Sequence, residues 1–286
     1  MSDDGEHGLT LIAFVGSVFS PYYKWARRRG PADPENHCAL NVALYGRQKR
    51  WAMTERGRRH CARDRTQFVI GPSQLEWDGQ CLHVHINEIC VPFLSPLRGH
   101  IRVWPQQLVQ CSVPLDDAGR HRWGPLAPHA RVEVDMQNPA QRWHGHAYLD
   151  SNEGDEPLEE AFHHWDWSRT LLNDGSTVVN YDLQWPDRAP RLLRMRFTAD
   201  GEIEHLPEAP PQDLPRTAWR IQRRMRSASR VQVQDQLEDT PFYQRSLLRH
   251  NWQDQPVWSF HESLSVPRFV SPVVQSLLPW RMPRRG

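Results

Sequence analysis

No stretch of this sequence approaches the ~20 consecutive apolar residues that cross a bilayer as a helix, which excludes a spanning helix. Lysine is nearly missing: Lys24 and Lys49 are the only two, so arginine supplies almost all the positive charge. That bias reflects the base composition of the genome rather than guanidinium chemistry. Net charge is almost absent as well. At a formal +1, the chain generates no overall field to draw nucleic acid. Cysteine is sparse and odd in number; Cys38, Cys61, Cys81, Cys90 and Cys111 show no CxxC spacing. They read as free thiols in a reducing compartment. The N-terminus, MSDDGEHG, is acidic and lacks the basic region of a signal peptide. The expected location is therefore cytoplasmic, or at most on a membrane surface. Gly-rich phosphate loops, nucleophile elbows and Cys-His dyads are also missing, which removes the chemistry those motifs support.

What the chain does carry is tryptophan, proline and short alternating segments. Hydrophobic content is 38%, and the 24 prolines outnumber the 16 glycines. Prolines so spaced argue against long helices and favour short strands joined by rigid turns. Strand patterns recur at Leu9–Ser20, His37–Tyr45, Arg50–Thr54, Thr66–Ile70, Gln74–Trp77 and Gln80–Glu88. They continue at Ile101–Trp104, Leu108–Val113, Arg131–Met136 and Trp143–Asp150. Further strands are expected over Thr177–Trp185, Arg191–Phe197, Glu202–Leu206, Trp219–Met225, Arg230–Leu237 and Val257–Ser265, with one short helix over Pro157–Trp167. Asp78-Gly79 and Asp200-Gly201 are hairpin turns. The expected fold is all-β, a barrel or sandwich in two successive units, 1–117 and 118–286, divided at the turn Asp116–Gly119.

The most unusual stretch is Trp143–Arg169, which packs four His, three Trp and seven Asp or Glu into 27 residues. In its strand, His144, His146, Tyr148 and Asp150 share one face, because side chains alternate with period two. An amphipathic surface strand and the wall of a wet pocket both fit that pattern. The acidic run Glu153, Asp155, Glu156, Glu159 and Glu160 reads chiefly as a solvated connection and helix cap. His83/His85 and His144/His146 would each point two rings to one side, yet neither pair has a third ligand at a convincing spacing. No metal is expected. A more pointed pattern is the pair His121/Trp123 set against the pair Tyr148/Asp150. Each is spaced two apart, and a hairpin of Arg131–Met136 and Trp143–Asp150 would carry both.

Several long motifs then resemble a known family: AFVGSVFSPYY (13–23), DPENHCALNVALYG (33–46), RWAMTER (50–56), GHAYLDSNEGDEPLE (145–159) and WDWSR (165–169). Together they are similar to the carotenoid 1,2-hydratases, or hydroxyneurosporene synthases, of phototrophic bacteria. The resemblance implies two tandem lipocalin-like β-units with a few short helices. It implies cofactor-independent addition of water to the terminal 1,2 double bond of an acyclic carotene such as neurosporene or lycopene. It also implies catalytic roles for Asp150, Tyr148, His121 and Trp123: proton donor, its orienting partner, the group that positions or deprotonates water, and cation stabiliser. A carboxyl buried beside apolar carotene keeps its proton because desolvation penalises the charged form. Asp182, beside Tyr181, is the reserve acid. A bilayer-dissolved substrate implies an enzyme peripheral to a bacterial inner or photosynthetic membrane on its cytoplasmic side. Ser271–Arg285, apolar and basic, is the candidate contact. Two alternatives fit the same scaffold: a non-enzymatic carrier of a long apolar ligand, and a cyclase or pericyclic enzyme.

Overall fold

The computed structural model describes residues 1–285. The chain forms two compact units that interleave in sequence. The first takes Met1–Gln106, Ala130–Tyr148 and the C-terminal segment from Gln275; the second takes Gln107–His129 and Leu149–Val274. This differs from a division at residue 117. The strands His121–Asn138 and Ala140–Gly154 are long enough to contribute to both units, so no single cut separates them.

The first unit builds on Cys38–Tyr45, buried at all eight positions. CALNVALY carries no charge, as a strand covered on both faces requires. Its one amide is satisfied, since Asn41 donates to the Ala52 carbonyl at 3.0 Å. Gly8–Phe14 and Arg50–Arg56 flank it in antiparallel register, and Arg284–Arg285 adds parallel to the latter. A second sheet runs Cys61–Arg63, Gln67–Ile70, Ser73–Trp77, Leu82–Ile89 and Pro96–Pro105, then on to the two long strands. Pro96–Pro105 alternates exposed and buried residues, so this sheet keeps one face in water. At its Asp78-Gly79 turn, Gly79 adopts φ 100°, a conformation that favours glycine.

The second unit is dominated by seven antiparallel strands. Their order is Ile203–His205, Arg191–Phe197, Thr177–Gln184, His164–Leu171, Gln255–Ser265, Tyr243–Trp252 and Gln232–Asp239. All the sheets have edges among the described residues, so the all-β expectation holds as open sheets rather than a closed barrel. Helices are few and short, the longest being Pro272–Arg281.

Four local expectations change. The helix over Pro157–Trp167 shrinks to Leu158–Ala161, and Pro157 becomes its N-cap residue. From His164 the chain is a strand paired on both sides, which uses the alternation of Trp165, Asp166, Trp167 and Ser168. Leu108–Val113 is strand only at Val113–Pro114, and Trp219–Met225 only at Arg224–Arg226. Tyr243–Trp252 is a full strand that the hydrophobic pattern does not reveal. Its buried positions include Gln244, Arg245, Ser246 and His250, so the usual apolar alternation is absent.

Candidate active site

His121 and Trp123 lie on one strand of the long hairpin, and Tyr148 and Asp150 on the other. Trp123 is 1% exposed. Its indole N–H donates to Oδ2 of the half-buried Asp150 at 3.0 Å. Two further rings close around the indole: Tyr181 at 5.9 Å and Phe197 at 6.2 Å between centroids, inclined at 66° and 76°. Such edge contacts direct the positive ring edge of one partner at the negative face of the other. The Tyr181 hydroxyl donates to Asn152 Oδ1 at 3.3 Å. Burial, and then the negative charge of Asp150, push the Tyr181 phenol well above its ordinary range, so it stays neutral. The result is an aromatic box with one carboxyl held by an indole at its wall.

His121 sits one row along the hairpin and has its own surroundings. Its ring packs edge-on to Phe162 at 4.9 Å, and its backbone N–H donates to Asp116 Oδ2 at 2.6 Å. The Nε2 atom is buried, makes no hydrogen bond among the described residues, and lies 3.9 Å from Glu156 Oε1. Gly154 makes the space: a β-carbon there would fall 2.8 Å from His121 Nδ1. Burial lowers the His121 pKa, against the pull of Asp116 and Glu156, and so favours a neutral ring with a basic nitrogen. Tyr148 is half-buried, and strand alternation puts it on the face of Asp150. The described geometry thus joins Trp123 to Asp150 directly and gives His121 separate partners.

The remaining candidates resolve into structural roles. Asp182 is buried and accepts from Arg226 Nε at 2.7 Å, which makes it half of an ion pair. It points away from Tyr181, its neighbour on the same strand. His144 and His146 both approach Asp3, at 3.4 and 3.6 Å, and Arg131 clamps the same carboxylate. They fasten the N-terminal segment to the first unit. His83 pairs with Asp78, and His85 packs on His100 at 4.7 Å. Among the described residues no group of three or more His, Cys, Asp or Glu is placed to hold a metal. In the acidic run, Asp155 takes Arg122 in a two-pronged bond at 2.9 and 3.1 Å, and Glu156 takes Arg120 at 2.8 Å. These pairs brace the end of the hairpin that carries His121. A separate cavity of about 200 Å³ is lined by Thr170, Asn180, Arg194, Arg226 and His250 among others. Asn180 and Tyr181 are adjacent on one strand, so this cavity is on the opposite side of the sheet from the aromatic box.

Sequence reasoning missed Tyr181, Phe197 and Asn152. Asn152 shares strand parity with Asp150, which was the available signal. The two rings come from strands whose pairing no local pattern encodes.

Burial makes one measurable demand. His121, His250 and His261 are each pushed below the ordinary imidazole value, first by loss of solvent. The unfolded chain takes up these protons near pH 6.5, whereas the folded chain resists them to lower pH. Stability therefore falls as pH drops from about 6.5 through the lower folded values. The lowered carboxylates, such as Asp116 and Asp155, matter only in a more acidic window, below their unfolded values. The thermal midpoint should drop between pH 7.5 and 5, by roughly 2–4 °C for each kcal/mol lost in a chain of about this size. His250→Gln should flatten that slope. A midpoint that is constant over the interval contradicts the argument.

The profile of the family described as carotenoid hydratase CrtC matches residues 11–286. The acyclic carotenoid 1,2-hydratase of Rubrivivax gelatinosus is 54% identical over 293 residues, covering 100% of this chain and 72% of the relative. Its namesake from Thiocapsa roseopersicina is 53% identical over 290 residues, covering 100% and 71%. That of Rhodobacter capsulatus is 38% identical over 281 residues, covering 96% and 98%. No solved structure matches the chain.

Proposed function

The chain belongs to the carotenoid hydratase family and is a carotenoid 1,2-hydratase, and from that premise we propose how and on what it acts. The substrate is an acyclic carotene, neurosporene or lycopene, whose terminal 1,2 double bond takes up water to give the 1-hydroxy carotenoid. Asp150 donates a proton to C2, leaving a tertiary cation at C1. An apolar polyene end seated against this carboxyl displaces water and favours its neutral, proton-donating form. The Trp123 N–H fixes the plane of the carboxyl, and Tyr148 shares the orienting task from the same strand face. The box of Trp123, Tyr181 and Phe197 offers ring electron density to the developing cation. Water then attacks C1, and the buried, neutral His121 takes the proton released as the C–O bond forms. Return of that proton to Asp150 closes the cycle. Addition of water changes no net oxidation state, so the chemistry asks for no redox cofactor.

The observation that carries this reading is the direct bond between the Trp123 indole and Asp150 inside an aromatic surround. An alkene hydratase needs one acid, a cation-tolerant wall and a base for water, and nothing else. The experiment is incubation with lycopene in ¹⁸O-labelled water. The expected product is 1-hydroxylycopene carrying the label on its new hydroxyl; an unlabelled hydroxyl, or no hydroxylation, overturns the scheme. Because such substrates dissolve in bilayers, the reading also places the protein at a membrane surface. No helix among the described residues is long and apolar enough to cross one.

A further inference from the structure

The helix Pro272–Arg281 is apolar on two sides. Val274 and Leu278 are buried, and Met282 just beyond it packs in a core cluster with Ala39 and Met53. Its other stripe holds Leu277 at 52% exposure and Trp280 at 81%. A helix apolar all round belongs in a core or against lipid, and this one has only half of its surface in a core. A loop of the first unit repeats the anomaly: Phe93 is 84% exposed and Leu94 74%. The two features are neighbours. Arg281 donates to the carbonyl of Val91 at 3.3 Å and lies over the Trp51 ring at 3.6 Å, tying the end of the helix to the base of the loop.

The exposure is not that of a loose tail. Arg284–Arg285 pairs with Glu55–Arg56 as a strand, and Arg284 and Ser20 both bind the buried Glu55 carboxylate. Ser20 caps the helix Pro21–Arg27, which brings exposed Trp25 and the run Arg27-Arg28-Arg29 to the same neighbourhood. From Ser271 to Arg285 there are three arginines and no acid. The nearby acids Asp33 and Glu35 are occupied by Arg58 and Arg63.

We propose that Phe93, Leu94, Leu277 and Trp280 form the surface by which this protein sits in the interfacial layer of an anionic bilayer, with the exposed Arg29 and Arg285 on lipid phosphates. Protruding aromatic and aliphatic side chains on a segment that is basic and free of acids match that interface better than a neutral protein partner. The assignment rests on the reading above, in which the substrate is dissolved in the bilayer. It adds the loop and names the face of the tail helix that meets lipid.

Deleting the tail would remove Met282 from the core and Arg284–Arg285 from a sheet, so point variants are the sound test. The full chain is sedimented with vesicles of phosphatidylcholine alone, or of phosphatidylcholine with an equal part of phosphatidylglycerol. The unaltered chain should bind the anionic vesicles, and salt should weaken that binding. F93S/L94S and L277S/W280S should each reduce partitioning by roughly tenfold per side chain removed, with the thermal midpoint unchanged. Hydration of lycopene should fall with them when the carotene is in vesicles and be kept when it is in detergent micelles. Equal vesicle binding by variants and unaltered chain overturns the proposal. So does a dimer, seen by sedimentation velocity, that the same substitutions dissociate, because the patch then joins two copies of the chain. If no hydration occurs in either medium while vesicle binding still depends on these residues, the catalytic reading fails and the docking surface stands.

Discussion

Asp150→Asn is expected to lower carotene hydration by about 10³-fold, within the usual reach of a general acid, and to leave the melting temperature unchanged. The substitution isolates the proton. Asparagine has the shape of aspartate, and its amide oxygen can still accept from the Trp123 indole that holds the carboxyl at 3.0 Å. Packing against Tyr181 and Phe197 is untouched, because those rings lean on the indole. What disappears is the carboxyl proton that the proposed mechanism delivers to the alkene carbon. Substrate binding should survive, so the loss falls on kcat and hardly on KM. Two measurements check it: initial rates of 1-hydroxy product formation, and thermal denaturation of the same preparation. Turnover near that of the unaltered enzyme means the proton comes from elsewhere. A large drop in melting temperature means the carboxylate serves the fold instead.

The hairpin behind this prediction was readable because strand periodicity is local. Two-residue spacing put Tyr148 with Asp150 and His121 with Trp123, and the strands His121–Asn138 and Ala140–Gly154 follow that arrangement. The face of Trp143–Asp150 that looked ambiguous serves two ends. His144 and His146 belong to the anchoring of the N-terminal segment through Asp3, whereas Asp150 meets the aromatic box. What was not readable depends on partners distant in sequence. Tyr181 and Phe197 reach Trp123 only through the pairing of Thr177–Gln184 with Arg191–Phe197. The strand Tyr243–Trp252 went unseen for another reason. Periodicity finds strands by apolar alternation, and the buried face of this sheet carries Ser168, Thr170, Asn180, Asp182, Ser246, His250, Ser259, His261 and Ser263. A polar interior laced by cross-strand bonds, such as His250 Nε2 with Ser259 Oγ at 2.8 Å, leaves no hydrophobic signature.

That polar interior gives the second large effect. Asp182→Asn should destabilise the protein by about 3 kcal/mol, the low end for a buried pair, because it leaves the largely buried Arg226 guanidinium without its carboxylate. Asp182 is buried and the Arg226 side chain only 12% exposed, with Arg226 Nε donating to Asp182 Oδ2 at 2.7 Å. Such a loss lowers the thermal midpoint by roughly 10 °C in a chain of about this size. The double variant Asp182→Asn/Arg226→Met should recover much of it, since neither charge is then left buried without a partner. At a temperature where the single variant is still folded, its turnover per folded molecule should match the unaltered enzyme. Loss of turnover without loss of stability would instead make Asp182 the acid. Asp182 and Tyr181 are adjacent, so the strand sends one to each side of the sheet. Tyr181 faces Trp123 and the charge of Asp150, while Asp182 faces Arg226. One carboxylate is held by an uncharged indole donor inside the aromatic box. The other is tied to a permanent cation, the Arg226 guanidinium, on the opposite side of the sheet.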